Sequence, residues 1–268
     1  MIKLLSFYMS RNNTSIAYIA GGSGLIGSEI VLRLSNHFDK IIILDINKPK
    51  SFFLNKSKNF FFTKIDLGKL IKLESNLNKI IKKYGVPDLF INASYPVNKN
   101  WNKCNFKKIK INYFIQNLNL HLASYCWSSK IIADKMKSKK RSSIILLSSI
   151  YGILAQDPKL YSNSKLTENM VYPIVKRGII SHCKQLASMY AAHGVRVNCI
   201  SPGGIEGSIK GRKVKQDRNF KKKYLEKVPL NRFCKPKDIA EMCIYLSKSN
   251  SSYITGQNLV LDGGLSII

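Results

Sequence analysis

Two tyrosine–lysine pairs in this chain have the spacing that lets an amine act on a phenol. Tyr161-Ser-Asn-Ser-Lys165 and Tyr172-Pro-Ile-Val-Lys176 each place the two side chains four residues apart, which on a helix puts them on one face. An ammonium beside a phenol favours the phenolate. Such a pair can give or take a proton at a carbonyl or alcohol oxygen near neutral pH. A second group of residues suits a phosphate-bearing ligand. Glycines at 21, 24 and 27 in Ala20-Gly21-Gly22-Ser23-Gly24-Leu25-Ile26-Gly27 stand between an apolar run and a segment of helical periodicity. Glycine there allows a tight turn and lets the backbone approach a pyrophosphate, and the helix beyond offers free N–H groups and a positive dipole end. Asp45 ends the next apolar run, 18 residues after Gly27. A carboxylate at that place accepts hydrogen bonds from the adenosine ribose and repels a 2′-phosphate, so it favours NAD over NADP; Lys48 and Lys50 nearby blur the preference.

These groups need elements to hold them. Apolar runs at 15–20, 41–44, 60–65, 88–91, 143–147, 195–200 and 258–261 read as strands, and 25–36, 69–84, 105–137, 172–193 and 237–248 read as helices. Continuous apolar strands separated by helices predict an α/β chain with a parallel sheet covered on both faces. No Pro/Gly/Ser-rich linker or internal repeat divides it. The expectation is a single-domain, doubly wound Rossmann fold over 15–268, preceded by a loose extension at 1–14.

At 45% hydrophobic residues a chain of 268 can bury a full core, and no window is long and apolar enough to span a membrane. The formal net charge of +29 would suit a nucleic-acid or membrane partner, but lysine is spread along the chain instead of forming one stripe, so neither partner is expected. The six cysteines form no C-x-x-C pair and read as free thiols of a reducing cytoplasm. His37, His121, His182 and His193 lack metal-ligand spacing and read as structural, so no metal is expected. The exception to the even charge is 210–223, where Lys210, Arg212, Lys213, Lys215, Arg218, Lys221, Lys222 and Lys223 face only Asp217. Two readings stay open for it: capture of an anionic substrate such as a nucleotide diphosphate sugar, or a solvated basic loop.

Between 143 and 204 the chain resembles the short-chain dehydrogenase/reductase family, and the likeness extends over nearly its whole length. Ser143-Ile-Ile-Leu-Leu-Ser-Ser-Ile-Tyr-Gly152 resembles the strand carrying that family's catalytic serine, and the segment from Tyr172 to Ala187 its catalytic helix. Tyr190-Ala-Ala-His-Gly-Val-Arg-Val-Asn-Cys-Ile-Ser-Pro-Gly-Gly204 resembles the strand and cofactor loop that follow, and counting back from Val195-Arg-Val-Asn198 selects Tyr172 over Tyr161. Pro229-Leu-Asn-Arg232, Tyr253-Ile-Thr-Gly256 and Leu261-Asp-Gly-Gly264 resemble the C-terminal signature. The resemblance implies that Ser149 holds the substrate oxygen, Tyr172 is the acid/base, and Lys176 binds the nicotinamide ribose and tunes Tyr172. It also implies an asparagine relaying protons to Lys176, for which Asn119 is preferred to Asn117 and Asn112. The implied cofactor site comprises Gly21, Ser23, Gly24, Leu25, Ile26, Gly27 and Asp45. Asp66 and Leu67 join it near the adenine, with Asn92, Ala93 and Ser94 after the fourth strand. Tyr172, Lys176, Pro202, Gly203 and Ile205 complete it around the nicotinamide. The implied reaction is reversible hydride transfer between NAD(H) and a secondary alcohol or ketone, by a homodimer or tetramer with a mobile substrate loop at 206–227.

The chain departs from the family pattern in places. Ser149 stands 23 positions before Tyr172, a longer gap than the family's, whereas Ser148 with Tyr161 keeps the usual gap and remains the rival pair. Asn92-Ala-Ser-Tyr95-Pro96 replaces the family's Asn-Asn-Ala-Gly turn. The insertion 153–171, Ser-Ser-Ile-Tyr-Gly and Tyr95-Pro96 together resemble a bacterial subgroup that modifies flagellin or surface polysaccharide, which implies a sugar or sugar-nucleotide substrate. A 3-oxoacyl-carrier-protein reductase-like enzyme and a non-catalytic NAD-binding protein are the alternatives. Tyr151 is a candidate for the substrate pocket, and Trp101 and Trp127 for its wall or for helix packing.

Overall fold

The computed structural model describes residues 14–139, 141–207 and 217–268. Lys210, Arg212, Lys213 and Lys215 of the basic segment, and nearly all of the N-terminal extension, lie outside these residues. Seven strands form one sheet: β1 (Ile16–Ala20), β2 (Lys40–Asp45), β3 (Phe60–Lys64), β4 (Leu89–Asn92), β5 (Ser142–Leu147), β6 (Val195–Pro202) and β7 (Asn258–Leu261). Their order is β3-β2-β1-β4-β5-β6-β7, and every neighbouring pair is parallel. Chain order therefore reverses direction between β1 and β4. In open α/β sheets, ligands bind beyond the carboxyl ends of the strands at such a switch point.

The helices that cover the sheet are α1 (Leu25–Leu34), α2 (Ser51–Leu54), α3 (Leu70–Tyr84), α4 (Ile111–Asn117), α5 (Ser124–Met136), α6 (Pro158–Tyr161), α7 (Val171–Tyr190), α8 (Arg218–Glu226) and α9 (Pro236–Ser247). Strand side chains alternate between faces, so the unbroken apolar runs fill two cores. Tyr18, Ile42, Phe90, Ile144 and Val197 pack under α3, α5 and α7, against residues such as Leu73, Ile132 and Val175. Ala17, Ile19, Ile41, Ile91 and Ile145 pack under α1 and α9, against Ile30, Val31, Ile239 and Cys243. Two-sided burial is why these strands read as continuous apolar runs instead of alternating ones.

The long helix expected over 105–137 is a point of correction. Helix begins only at Ile111, after a single 3-10 turn at Trp101–Lys103 and an extended Lys110. Between α4 and α5 the backbone widens into a π-helical stretch, Leu118–Ala123. Asn105 caps the preceding loop instead of lying in a helix, its Oδ1 accepting from the Lys108 N–H at 2.9 Å. Apolar periodicity over 105–137 shows which residues are buried, but it cannot show a break that retains the same buried face. Among the described residues no helix is long and apolar enough to cross a membrane.

Candidate active site

The glycine turn after β1 packs directly on the turn after β4. Gly21 has φ +74, and a Cβ on it would lie 2.6 Å from the Ser94 backbone; a Cβ on Gly27 would lie 2.1 Å from the Gly21 carbonyl oxygen. No side chain fits either position, so the backbone is bare where α1 begins. Ser23 N–H donates to Asp45 Oδ2 at 3.0 Å, Asn47 N–H to Asp45 Oδ1 at 2.9 Å, and Ser23 Oγ to the Asn47 carbonyl at 2.7 Å. The Asp45 carboxylate is thereby fixed at the mouth of the turn. Asn92 is buried at the end of β4, its Oδ1 accepting from the N–H and Oγ of Ser94 at 3.1 and 2.6 Å. Ala93 N–H donates to the Ala20 carbonyl at 2.9 Å, which joins the two turns. Asp66 and the buried Leu67 follow β3, with the Gly68 N–H donating to Asp66 Oδ1 at 2.9 Å. Leu25 and Ile26 open α1, and Leu25 lies against Gly207.

The third side of the cleft is the loop after β6. Pro202 ends the strand, and Gly203 N–H donates to the Leu261 carbonyl at 2.9 Å. Gly204 N–H donates to the phenol oxygen of Tyr224 on α8, and Tyr224 stacks on Phe233 with centroids 5.2 Å apart. Ile205 pairs with Cys234 in a parallel bridge. These bare, glycine-lined turns at the switch point, with a fixed carboxylate at the end of β2, are residues that would fit a dinucleotide.

Ser149, Tyr172 and Lys176 meet beside this cleft. Ser149 follows β5 and caps a 3-10 turn, its Oγ accepting from the Tyr151 N–H at 3.2 Å. Tyr172 stands in the first turn of α7, with the Ser149 side chain beside its phenol. Asn169 sets the start of that helix, its Oδ1 accepting from the N–H groups of Val171 and Tyr172 at 3.0 and 2.9 Å. One turn on, Lys176 is buried; its Nζ donates to the Leu147 carbonyl at 3.1 Å. The ammonium lies over the rings of Tyr125, Tyr172 and Tyr95, at 5.3, 5.6 and 5.9 Å from their centroids. Burial raises the Tyr172 phenol and the neighbouring Ser149 hydroxyl pulls it part of the way back; burial pushes the Lys176 ammonium down to about 7.

The rival pair is not assembled. Tyr161 ends the four-residue helix α6, and Lys165 is an exposed loop residue beyond it, so their four-residue spacing carries no shared helix face. Tyr161 instead takes a hydrogen bond from Gln156 at 3.1 Å and packs on Phe220 of α8. Ser148 donates to the Lys176 carbonyl at 2.7 Å and serves the backbone of α7. Asn119 is also not brought to the site. It is exposed, as is Asn112, while Lys176 is buried. Asn117 is buried, but its amide nitrogen donates to the Tyr113 carbonyl at 2.9 Å. His121, which its lack of ligand spacing marks as structural, is the buried residue that the π-helical stretch brings near Lys176. Proximity across the fold, set by the π-helical stretch, was the missing signal. In the described part of the basic segment one lysine is held by the insertion, as is one just beyond it. Lys223 donates to the carbonyl and hydroxyl of Ser162 at 2.8 and 2.7 Å, and Lys227 pairs with Asp157. The insertion 153–171 is thus the seat of α8, which accounts for the long gap between Ser149 and Tyr172.

The family profile described as Enoyl-(Acyl carrier protein) reductase matches residues 20–266. A short-chain dehydrogenase from Leptospira borgpetersenii, solved with bound NAD+, is 31% identical with a TM-score of 0.81, covering 95% of this chain and 93% of that one. The post-translational flagellin modification protein A of Campylobacter coli is 28% identical over 255 residues, 93% of this chain and 97% of its own length. The 3-oxoacyl-[acyl-carrier-protein] reductase of Buchnera aphidicola is 30% identical over 261 residues, 93% of this chain and 96% of its own. With a profile spanning nearly all of the chain and a Ser149–Tyr172–Lys176 cluster beside a dinucleotide cradle, the chain belongs to the short-chain dehydrogenase/reductase family and is an NAD(P)-dependent oxidoreductase.

Proposed function

We propose that this enzyme uses NAD(H) to interconvert a secondary alcohol and a ketone on a sugar or sugar nucleotide, in the modification of flagellin or a surface glycan. The convergence of Tyr172, Ser149 and Lys176 at the mouth of the glycine cradle carries the reaction class. Bound nicotinamide supplies the hydride acceptor or donor. Ser149 donates to the substrate oxygen, and Tyr172 exchanges the proton with it. Lys176 holds positive charge behind the phenol, which favours the phenolate when the alcohol is oxidised. The fixed Asp45 carboxylate supports NAD, since a 2′-phosphate at that place would meet a negative charge. The near full-length likeness to a flagellin modification protein supports the substrate class. So does the aromatic wall of Tyr95, Trp101 and Tyr151 set edge-on around the Tyr172 ring, since apolar sugar faces stack on such rings. This reading includes a cytoplasmic dimer or tetramer, for which the exposed Trp127 of α5 and Ile174 and Met189 of α7 offer apolar surface.

The test is NADH production from NAD+ with a panel of nucleotide sugars, run beside NADPH-dependent reduction of a 3-oxoacyl thioester. Turnover on a nucleotide sugar with NAD+ preferred over NADP+ supports the proposal. Faster NADPH-dependent thioester reduction overturns it in favour of the acyl-carrier reaction suggested by the Buchnera relative.

A further inference from the structure

A buried histidine stands behind Lys176. His121 lies in the π-helical stretch and is 0% exposed, and neither ring nitrogen has a hydrogen-bond partner among the described residues. Its ring meets Tyr95 edge-on at 5.3 Å and is tilted against Tyr125 at 5.6 Å and Trp101 at 6.0 Å. Tyr95 and Tyr125 also carry the Lys176 ammonium on their rings. Imidazole and ammonium therefore share two walls of one box, and Tyr172 closes it 6.0 Å from Tyr95. A buried polar group left without a partner costs about 1–3 kcal/mol, and leucine or phenylalanine would fill this place without that cost. Single π turns inside helices occur frequently at functional sites.

We propose that His121 is a positioning residue for the proton chemistry: as a neutral imidazole it offers a nitrogen lone pair to the Lys176 ammonium, keeps that ammonium charged inside an apolar box, and so keeps the Tyr172 phenol acidic. It takes the part expected of Asn119. The inference rests on the reading of Tyr172 and Lys176 as the proton-handling pair. The titratable groups facing Lys176 are Tyr172 on its own helix, Tyr95 after β4, Tyr125 on α5, His121, and Cys199 on β6. Those facing His121 are Lys176, Tyr95 and Tyr125. None is a carboxylate. Burial raises Tyr125, and pushes Cys199 up to about 12, so both stay neutral. Burial and the nearby ammonium both disfavour an imidazolium at His121. With those groups neutral, His121 is the one nitrogen base among the groups named as facing Lys176, which already donates to the Leu147 carbonyl.

Tyrosinate absorbance is followed against pH in the whole protein and in its Tyr172→Phe variant, the difference reporting Tyr172 alone. His121→Leu is expected to raise the Tyr172 midpoint by about one pH unit or more, roughly a tenfold loss of phenolate at a given pH. His121→Asn, whose amide keeps an acceptor, is expected to restore most of the shift. A folded His121→Leu protein with an unmoved midpoint overturns the proposal, and His121→Phe serves the same purpose if leucine prevents folding. Ring-nitrogen NMR of His121 in the unsubstituted protein decides independently. The expected result is a neutral ring with one nitrogen displaced toward the hydrogen-bonded range, a displacement lost in Lys176→Met. An imidazolium at neutral pH, or a nitrogen indifferent to Lys176→Met, overturns it. Failure of the underlying reading looks different: Tyr172→Phe would then keep full turnover whatever His121 does.

Discussion

Gly27 and Gly21 are so closely apposed that a single added carbon on Gly27 would fall 2.1 Å from the Gly21 carbonyl oxygen. Backbone, not a flexible side chain, is what such a carbon meets, so nothing can rotate aside. Gly27→Ala is expected to push α1 away from the turn, lowering stability by about 1–3 kcal/mol in the manner of overpacking. NADH affinity should fall by roughly tenfold or more, because the helix N-terminus no longer meets the phosphates. Urea midpoints and NADH fluorescence titration check both; unchanged NADH binding would detach the cradle from the cofactor.

The two tyrosines that compete by spacing should separate by function. Tyr172→Phe removes the proton donor and keeps the ring among Tyr95, Trp101 and Tyr151. Turnover should drop by about 10²–10⁴-fold, with NADH binding nearly intact. Tyr161→Phe breaks only the bond from Gln156. It should cost about 1 kcal/mol of stability and leave kcat within roughly threefold. Steady-state kinetics on both variants decides which of the two tyrosines exchanges the proton.

Asn169 is the hinge between the insertion and the catalytic helix. Its Oδ1 takes two N–H groups of the first turn of α7, its Nδ2 donates to the Trp101 carbonyl at 3.1 Å, and its own N–H donates to Gln156 Oε1 at 2.9 Å. Asn169→Ala removes a cap and is expected to cost about 1–2 kcal/mol. The loss of turnover should exceed the loss of NADH affinity, since Tyr172 is the residue displaced. Asn169→Asp keeps the acceptor and should recover most of the turnover. Calorimetry with the same kinetics tests this.

The strand segments, the glycine turn and the acidic end of β2 were legible because each is a local pattern. Apolar runs announce buried strands, and a turn with no room for Cβ must be glycine. Tyr172 could be chosen over Tyr161 only through resemblance to a family, since both pairs have equal spacing; the fold adds the reason, a helix at one and a loop at the other. His121 and Asn169 were not legible. Each acts on a partner distant in sequence, His121 across to α7 and Asn169 back to Trp101, through contacts that composition and periodicity do not encode. The basic segment carried two readings at once: Lys223, and Lys227 just beyond the segment, are bound to the insertion, which no charge count distinguishes from lysines awaiting an anion.

Acid should weaken this protein through its buried imidazole. His121 in the folded chain sits well below the ordinary histidine value because burial, and then the Lys176 charge, oppose its protonation. The unfolded chain therefore binds a proton there that the folded chain does not. Stability from this group is fully present above the unfolded value near ~6.5 and is lost as pH falls below it, at about 1.4 kcal/mol per pH unit for one proton. His182, lowered by burial as well, adds to the slope with the same sign. Replacing His121 with asparagine removes its share. Urea unfolding of the wild type and His121→Asn from mildly alkaline to mildly acid pH measures the difference, and parallel curves would show that the folded chain protonates His121 as readily as the unfolded one.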